Sequence, residues 1–163
     1  MNKILVLGDS SVGKTSWLHA MNGKVPRNIF KSTHSEQFTF LHSEQPAVFV
    51  AVHADISNNE LKKHCKGAEG VIVLYNHKNT PLTWLKRIHL MYPHNTVPVL
   101  VCCHGFNEPR HDLTWLSQHR LIQHAYTCIE HQAGILDCAN RILTQVRRNL
   151  PSPLSENEML PGK

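Results

Sequence analysis

The chain has 163 residues, which is enough for one domain that buries a core without disulfide or metal staples. Its hydrophobic fraction of 41% and charged fraction of 18% are typical of a globular chain and exclude a disordered or fibrous protein. The formal net charge is +5, but the Lys and Arg residues are scattered, so we predict a solvated basic surface and no nucleic-acid partner.

The cysteine count and the chain ends indicate in which cellular compartment the protein is expected. Five cysteines are an odd number, and three of them lie in apolar stretches, which predicts reduced thiols. The first apolar stretch is too short for a signal peptide, and no run is long enough to span a membrane. The last residues include no cysteine for prenylation. We therefore predict a cytoplasmic protein that reaches membranes only indirectly.

Short apolar strands alternate with amphipathic helices, which predicts a doubly wound α/β fold with its site at the carboxyl ends of the strands. The predicted strands are Lys3–Leu7, Gln37–Leu41, Ala47–His53, Val71–Tyr75, Val97–Cys103 and a weaker one at Tyr126–Ile129. The predicted helices are Lys14–Met21, Leu82–Met91, Asp112–His124 and Gly134–Leu150. The first, fourth and fifth strands are continuous apolar runs, as in parallel strands covered on both faces. The second and third alternate and flank a turn, which favours an antiparallel edge hairpin.

The first loop carries the strongest motif. Residues 8–16 read GDSSVGKTS and fit G-x-x-x-x-G-K-[ST] between a predicted strand and a predicted helix. The glycines let backbone N–H groups turn toward a phosphate, Lys14 reaches the β- and γ-oxygens, and the Thr15 hydroxyl can bind Mg²⁺. A chance glycine-rich turn is the alternative. The predicted phosphate-binding residues of this loop are Gly8, Asp9, Ser10, Ser11, Val12, Gly13, Lys14, Thr15 and Ser16.

GDSSVGKTS also resembles the form of this loop in the Rab branch of the Ras-like small GTPases. The segments FKSTHSEQF, KGAEGVIVLYN, VPVLV and TCIEHQAGI are similar to later parts of the same family, so the resemblance runs from Met1 to about Leu150. It implies a three-layer P-loop NTPase G-domain over residues 1–150, with about six mostly parallel strands and about five helices. Residues 151–163 would be a flexible tail. By this resemblance, Thr33 completes the Mg²⁺ shell and contacts the γ-phosphate, and Phe30 closes over the site.

The switch II motif of the family, D-T-A-G-Q-E, is best matched by residues 55–60. Asp55 would then hold Mg²⁺ through water, as a Walker B carboxylate does. Asn58 replaces the glycine that meets the γ-phosphate, and Asn59 replaces the catalytic glutamine with a side chain one methylene shorter. A rival alignment puts His53 at the aspartate and Ile56 at the glycine. In both alignments hydrolysis should be slow, and the helix that follows is shorter than in Rabs.

The guanine-selecting motif N-K-x-D of the family aligns with residues 103–106, which read CHGF. None of these side chains can accept the paired hydrogen bonds of guanine, so base selection should be weak. His104 and Phe106 could sandwich a base by stacking, or they could cap the strand against the core. Pro26 aligns with the base-stacking aromatic. The degenerate base-binding positions are Cys103, His104, Phe106, Thr127 and Cys128.

The resemblance implies a Rab-like regulatory switch that binds GTP or GDP with Mg²⁺, hydrolyses weakly or not at all, and acts in vesicle trafficking. It would be a monomer that presents its switch I and switch II surface to regulatory or effector proteins. Three alternatives stay open: a nucleotide-independent pseudo-GTPase scaffold, a P-loop protein with relaxed nucleotide specificity, and a P-loop enzyme such as a small kinase. The SENEML stretch of the tail also resembles the C-terminal signals of bacterial effectors that are delivered to a host cytosol.

Overall fold

The computed structural model describes residues 2–10, 12–22, 30–31, 35–42, 45–76, 78–94, 97–105, 122–127 and 132–149. These residues form an α/β fold with one mostly parallel sheet between two layers of helices. The strands are β1 (Asn2–Leu7), β2 (Phe30–Lys31), β3 (Ser35–His42), β4 (Gln45–Val52), β5 (Gly70–Tyr75), β6 (Val99–His104) and β7 (Ile122–Thr127). The described helices are α1 (Lys14–Asn22), α2 (Asn58–Cys65), α3 (Leu82–Met91) and α4 (Gln132–Asn149).

The strand order across the sheet is β2-β3-β4-β1-β5-β6-β7. Strand β1 is central and pairs in parallel with β4 and β5, and β6 and β7 continue the parallel part. Strands β2, β3 and β4 pair antiparallel, with His42 opposite Gln45 at the end of the β3–β4 ladder. The predicted antiparallel pairing of β3 with β4 and the predicted parallel strands are therefore confirmed, while β2 rather than this hairpin forms the edge of the sheet.

The apolar side chains of the sheet divide between two cores. On one face, Ile4 and Val6 of β1 pack with Trp17 of α1 and with the apolar side of α4. On the other face, Leu5 and Leu7 pack with α2 and α3. Because successive side chains of a strand point to opposite faces, a strand that is covered on both sides must be apolar throughout. This explains the uninterrupted apolar runs of β1, β5 and β6.

Strand β7 corrects two sequence predictions. The predicted helix Asp112–His124 is wrong at its end, because Ile122, Gln123 and His124 belong to β7; its earlier residues lie outside the described part. The predicted strand starts four residues too late, and its last two residues are not described. Ala125 and Thr127 are buried on the α4 side while Tyr126, on the other face, is 45% exposed, so the described residues cover the two faces of this outer strand unequally.

The remaining predictions differ in smaller ways. The two-residue strand β2 was not predicted, and α2 is a helix of eight residues where the sequence indicated only a shortened one. The described residues contain four helices rather than about five. The predicted tail, residues 151–163, lies outside them. No described helix has both the length and the apolar composition that crossing a membrane requires.

Candidate functional site

The loop between β1 and α1 contains two glycines that its shape requires. A Cβ at Gly8 would lie 2.6 Å from the carbonyl oxygen of Leu74 and 2.8 Å from Cγ2 of Val12, so a side chain does not fit there. Gly13 has a φ of +87°, a left-handed conformation that favours glycine. The carbonyl of Gly13 accepts the first hydrogen bond of α1, from the amide of Trp17 at 2.8 Å. The loop thus turns directly into the start of a helix.

Lys14 lies across this loop. Its ammonium group donates to the carbonyl oxygens of Gly8 at 2.6 Å and Asp9 at 3.0 Å, and the residue is 9% exposed. Burial lowers the pKa of Lys14 from its ordinary value, and the Asp9 carboxylate partly opposes that shift. A buried ammonium group held on two carbonyl oxygens is well suited to exchange them for an anion.

A cavity of about 660 Å³ opens beside the loop. Its described lining residues come from two segments, the loop with the start of α1 and the turn that follows β4. The amide of Ile56 donates to the carbonyl of His53 at 3.2 Å and closes that turn. Described residues that line the cavity are Ser10, Gly13, Lys14, Thr15, Ser16, His53, Ala54 and Asp55.

Two side chains whose oxygen atoms could bind a cation line this cavity. Thr15 and Asp55 are both exposed and both line it, and the Thr15 hydroxyl donates to Oε2 of Glu36 on β3 at 3.3 Å. Hydroxyl and carboxylate oxygens are the ligands that Mg²⁺ prefers, usually one or two of them beside phosphate and water. The described residues contain no group of three His, Cys, Asp or Glu side chains that could enclose a metal alone.

The structure brings together some of the predicted site residues and leaves others apart. His53 and Asp55, the rival candidates for the metal carboxylate position, both line the cavity. Asn59 lies exposed in the first turn of α2, and it is not among the described residues that line the cavity. Ser11, Thr33, Phe106 and Cys128 fall outside the described ranges.

The expected base end of the site is buried. Nδ1 of His104, which is 6% exposed, lies 2.9 Å from Oγ1 of Thr127, which is 5% exposed. The same Oγ1 accepts a hydrogen bond from Nε1 of Trp17 at 3.2 Å and lies 3.1 Å from Sγ of Cys102. This geometry agrees with the alternative in which His104 caps its strand against the core. Cys103, also predicted at this end, is fully buried on the opposite face.

The His104 network also supports the loop. A Cβ at Gly13 would lie 3.5 Å from Cδ2 of His104, so the imidazole packs against the last glycine before α1. Thr127 connects that imidazole to Trp17, which is in the first turns of α1. The side chains at the ends of β6 and β7 therefore hold the loop and the first helix in place.

We predict that acid destabilises the fold through His104. Burial lowers the pKa of His104, so the folded state takes up its proton less readily than the unfolded chain. An unfolded histidine has a pKa of about 6.5, so the contribution of neutral His104 to the free energy of unfolding is complete above about that pH. As the pH falls below this value the contribution is lost, and the free energy of unfolding decreases by up to about 1.4 kcal/mol per pH unit. Urea unfolding of wild type and His104→Asn between pH 7.5 and 5 measures this slope.

The His104→Asn protein should show a shallower loss of stability on acidification. His124 adds to the slope in both proteins, since burial and then the Arg141 charge lower its pKa. The exposed His94 provides the control, and His94→Asn should keep the wild-type slope. Equal slopes for wild type and His104→Asn would contradict the assignment.

Sequence reasoning missed three polar side chains near the site: Glu36, Trp84 and Arg87. The ring of Trp84 is buried together with the apolar side chains of α3. Its indole N–H nevertheless donates to the Asp9 carboxylate at 3.0 Å, across 75 residues of sequence. Such long-range partners leave no local signal in a sequence.

Comparison with models of known protein families and with curated proteins gives no significant match for this chain.

Proposed function

We propose that this chain is a nucleotide-binding regulatory switch of the Ras-like small-GTPase type, most similar to the Rab branch. It would bind the phosphates of GTP or GDP with Mg²⁺ through residues 8–16. The observation that carries the proposal is the cavity in which this glycine-rich loop, Lys14 and Asp55 meet at the carboxyl ends of β1 and β4. In parallel α/β sheets, ligands bind at that edge.

Each of these residues has a chemical role in the proposal. Lys14 exchanges the carbonyl oxygens of Gly8 and Asp9 for phosphate oxygens, which gives stronger, charge-assisted hydrogen bonds. Backbone N–H groups at the start of α1 add to the attraction for an anion. Thr15 and Asp55 offer oxygen ligands to Mg²⁺, which would neutralise part of the phosphate charge when bound.

Weak hydrolysis is part of the proposal. The Asn59 amide is shorter than the glutamine it replaces and is exposed at the start of α2, so it is poorly suited to orient an attacking water. The Asn58 side chain is engaged by Arg87 on α3 at 2.9 Å. The protein would therefore act by presenting α2 and the β2–β3 end of the sheet to partner proteins rather than by rapid turnover.

Relaxed base specificity is the second candidate, and one observation favours it. His104 and Cys103, which align with the guanine-selecting motif, are both buried, and His104 is hydrogen-bonded to Thr127. Side chains used in this way are not free to read a base edge. In this second candidate the phosphates carry most of the binding energy, so ATP and GTP would bind alike.

One experiment tests both candidates. The purified protein is denatured and any released nucleotide is identified by chromatography; GDP, GTP and ATP are then titrated with Mg²⁺ by calorimetry. The switch proposal predicts binding of guanine nucleotides, and the second candidate predicts equal affinity for ATP and GTP. No binding of any nucleotide at millimolar concentration would refute both and leave a pseudo-GTPase scaffold.

A further inference from the structure

Trp84 of α3 connects two parts of the site. Its ring is 3% exposed, and its Nε1–H donates to Oδ1 of Asp9 at 3.0 Å. The guanidinium carbon of Arg87 lies 4.7 Å from the centroid of the same ring, which is within range of a cation–π contact. Trp84 is therefore fixed between the phosphate loop and the next turn of its own helix.

Arg87 extends this connection to the segment after β4. Its Nη2 donates to the carbonyl of Ile56 at 2.6 Å, and its Nε donates to Oδ1 of Asn58 at 2.9 Å. Ile56 follows Asp55, which lines the cavity. Contacts thus run without a break from Asp9 through Trp84 and Arg87 to the start of α2.

The carboxylate of Asp9 is an obstacle for an anion site. Asp9 is the one acidic residue in the sequence of residues 8–16. A carboxylate a few ångströms from a phosphate weakens its binding, because like charges repel most strongly where water is partly excluded. Asp9 is not among the described residues that line the cavity, and the indole N–H holds its carboxylate toward α3.

We propose that Trp84 is a positioning residue for phosphate binding, which holds the Asp9 carboxylate away from the cavity, and that Arg87 keeps the indole in this position. This inference rests on the proposed function, since it assumes that the cavity takes phosphates. It predicts that losing the indole N–H weakens phosphate binding because of the charge of Asp9, and that the affinity recovers when this charge is removed.

The test is calorimetric titration of inorganic tripolyphosphate with Mg²⁺, a probe that contains no base. Trp84→Phe keeps an aromatic ring but loses the N–H donor, and we expect its affinity to fall about tenfold, as for a lost hydrogen bond to a charged group. Adding Asp9→Asn to Trp84→Phe should restore affinity to within about twofold of wild type, because no charge then remains to be held away. Leu90→Ala, on the exposed side of α3, is the control and should bind as wild type does.

The rescue distinguishes positioning from simple support of the fold. If the double variant Trp84→Phe/Asp9→Asn binds tripolyphosphate as weakly as Trp84→Phe does, the indole only supports the core and the inference is wrong. The inference is also wrong if Trp84→Phe binds as tightly as the wild type. If Trp84→Phe does not fold, Arg87→Met replaces it. We then expect Arg87→Met to lower the affinity for tripolyphosphate about threefold and the added Asp9→Asn to restore it. Unchanged affinity of Arg87→Met overturns the inference. A wild-type protein that binds neither tripolyphosphate nor nucleotide refutes the proposed function, and this inference with it.

Discussion

Replacing Lys14 with alanine should abolish the rise in melting temperature that we expect GTP or tripolyphosphate to give the wild-type protein. The ammonium group is the buried cation of the cavity lining, and it is held on carbonyl oxygens that an anion can replace. Losing its charge-assisted hydrogen bonds to phosphate should cost about 3 kcal/mol, or roughly 100-fold in affinity. Thermal unfolding with and without ligand measures the shift, and calorimetry measures the affinity.

The unliganded Lys14→Ala protein should remain folded, so the loss can be assigned to binding. Burial desolvates Lys14 more than the Asp9 charge compensates, and removing the ammonium group relieves that desolvation while it frees two carbonyl oxygens. Lys86→Ala, which removes an exposed ammonium group from α3, is the matched control and should keep the full thermal shift. A full thermal shift in Lys14→Ala would mean that the loop does not hold the phosphates.

Replacing Thr127 with valine should destabilise the fold by about 2–5 kcal/mol, because it leaves two buried polar groups without their common partner. Oγ1 of Thr127 accepts from Nε1 of Trp17 and contacts Nδ1 of His104, and valine has the same shape without the oxygen. A loss of about 5 kcal/mol is as large as the whole free energy of unfolding of a marginally stable domain. Urea unfolding at neutral pH gives the difference in free energy.

Two variants make the Thr127 result specific. Thr127→Ser keeps the hydroxyl and should recover most of the lost stability. Thr39→Val makes the same chemical change on β3 at a partly exposed position, and should alter the free energy of unfolding by no more than about 0.5 kcal/mol. If Thr127→Val were as stable as Thr39→Val, the hydroxyl would not be the centre of this network.

The sequence predicted most of the fold because its signals are local. Continuous apolar runs identified β1, β5 and β6, and the alternating segments joined by a turn identified the β3–β4 pair. Strand β7 was misassigned from Ile122 to His124 because an outer strand with unequally covered faces has no strong apolar run. Its described buried residues, Ala125 and Thr127, are small or polar, so they do not form the apolar run that marks a buried strand.

The residues of the site also fall into two groups, those that local sequence signals predicted and those that they did not. The loop from Gly8 to Thr15 was predicted from its motif, since the glycines and Lys14 have roles that depend on near neighbours. The contacts of Thr127 with Trp17, and of Trp84 with Asp9, join residues that are 110 and 75 positions apart. A side chain with an apolar body and one polar atom is predicted as core, and its partner emerges only when the chain is folded.

The two described tryptophans each direct the indole N–H to a different end of the same site. Trp17 contacts Thr127, beside His104, and Trp84 contacts Asp9 in the loop. Both rings are buried, so their emission depends on packing and hydrogen bonding at these two positions rather than on bulk water. These two tryptophans are thus intrinsic fluorophores at separate positions, one beside His104 and one beside the loop. A ligand that is held by its phosphates alone would change the emission of Trp84 and leave that of Trp17 unaltered.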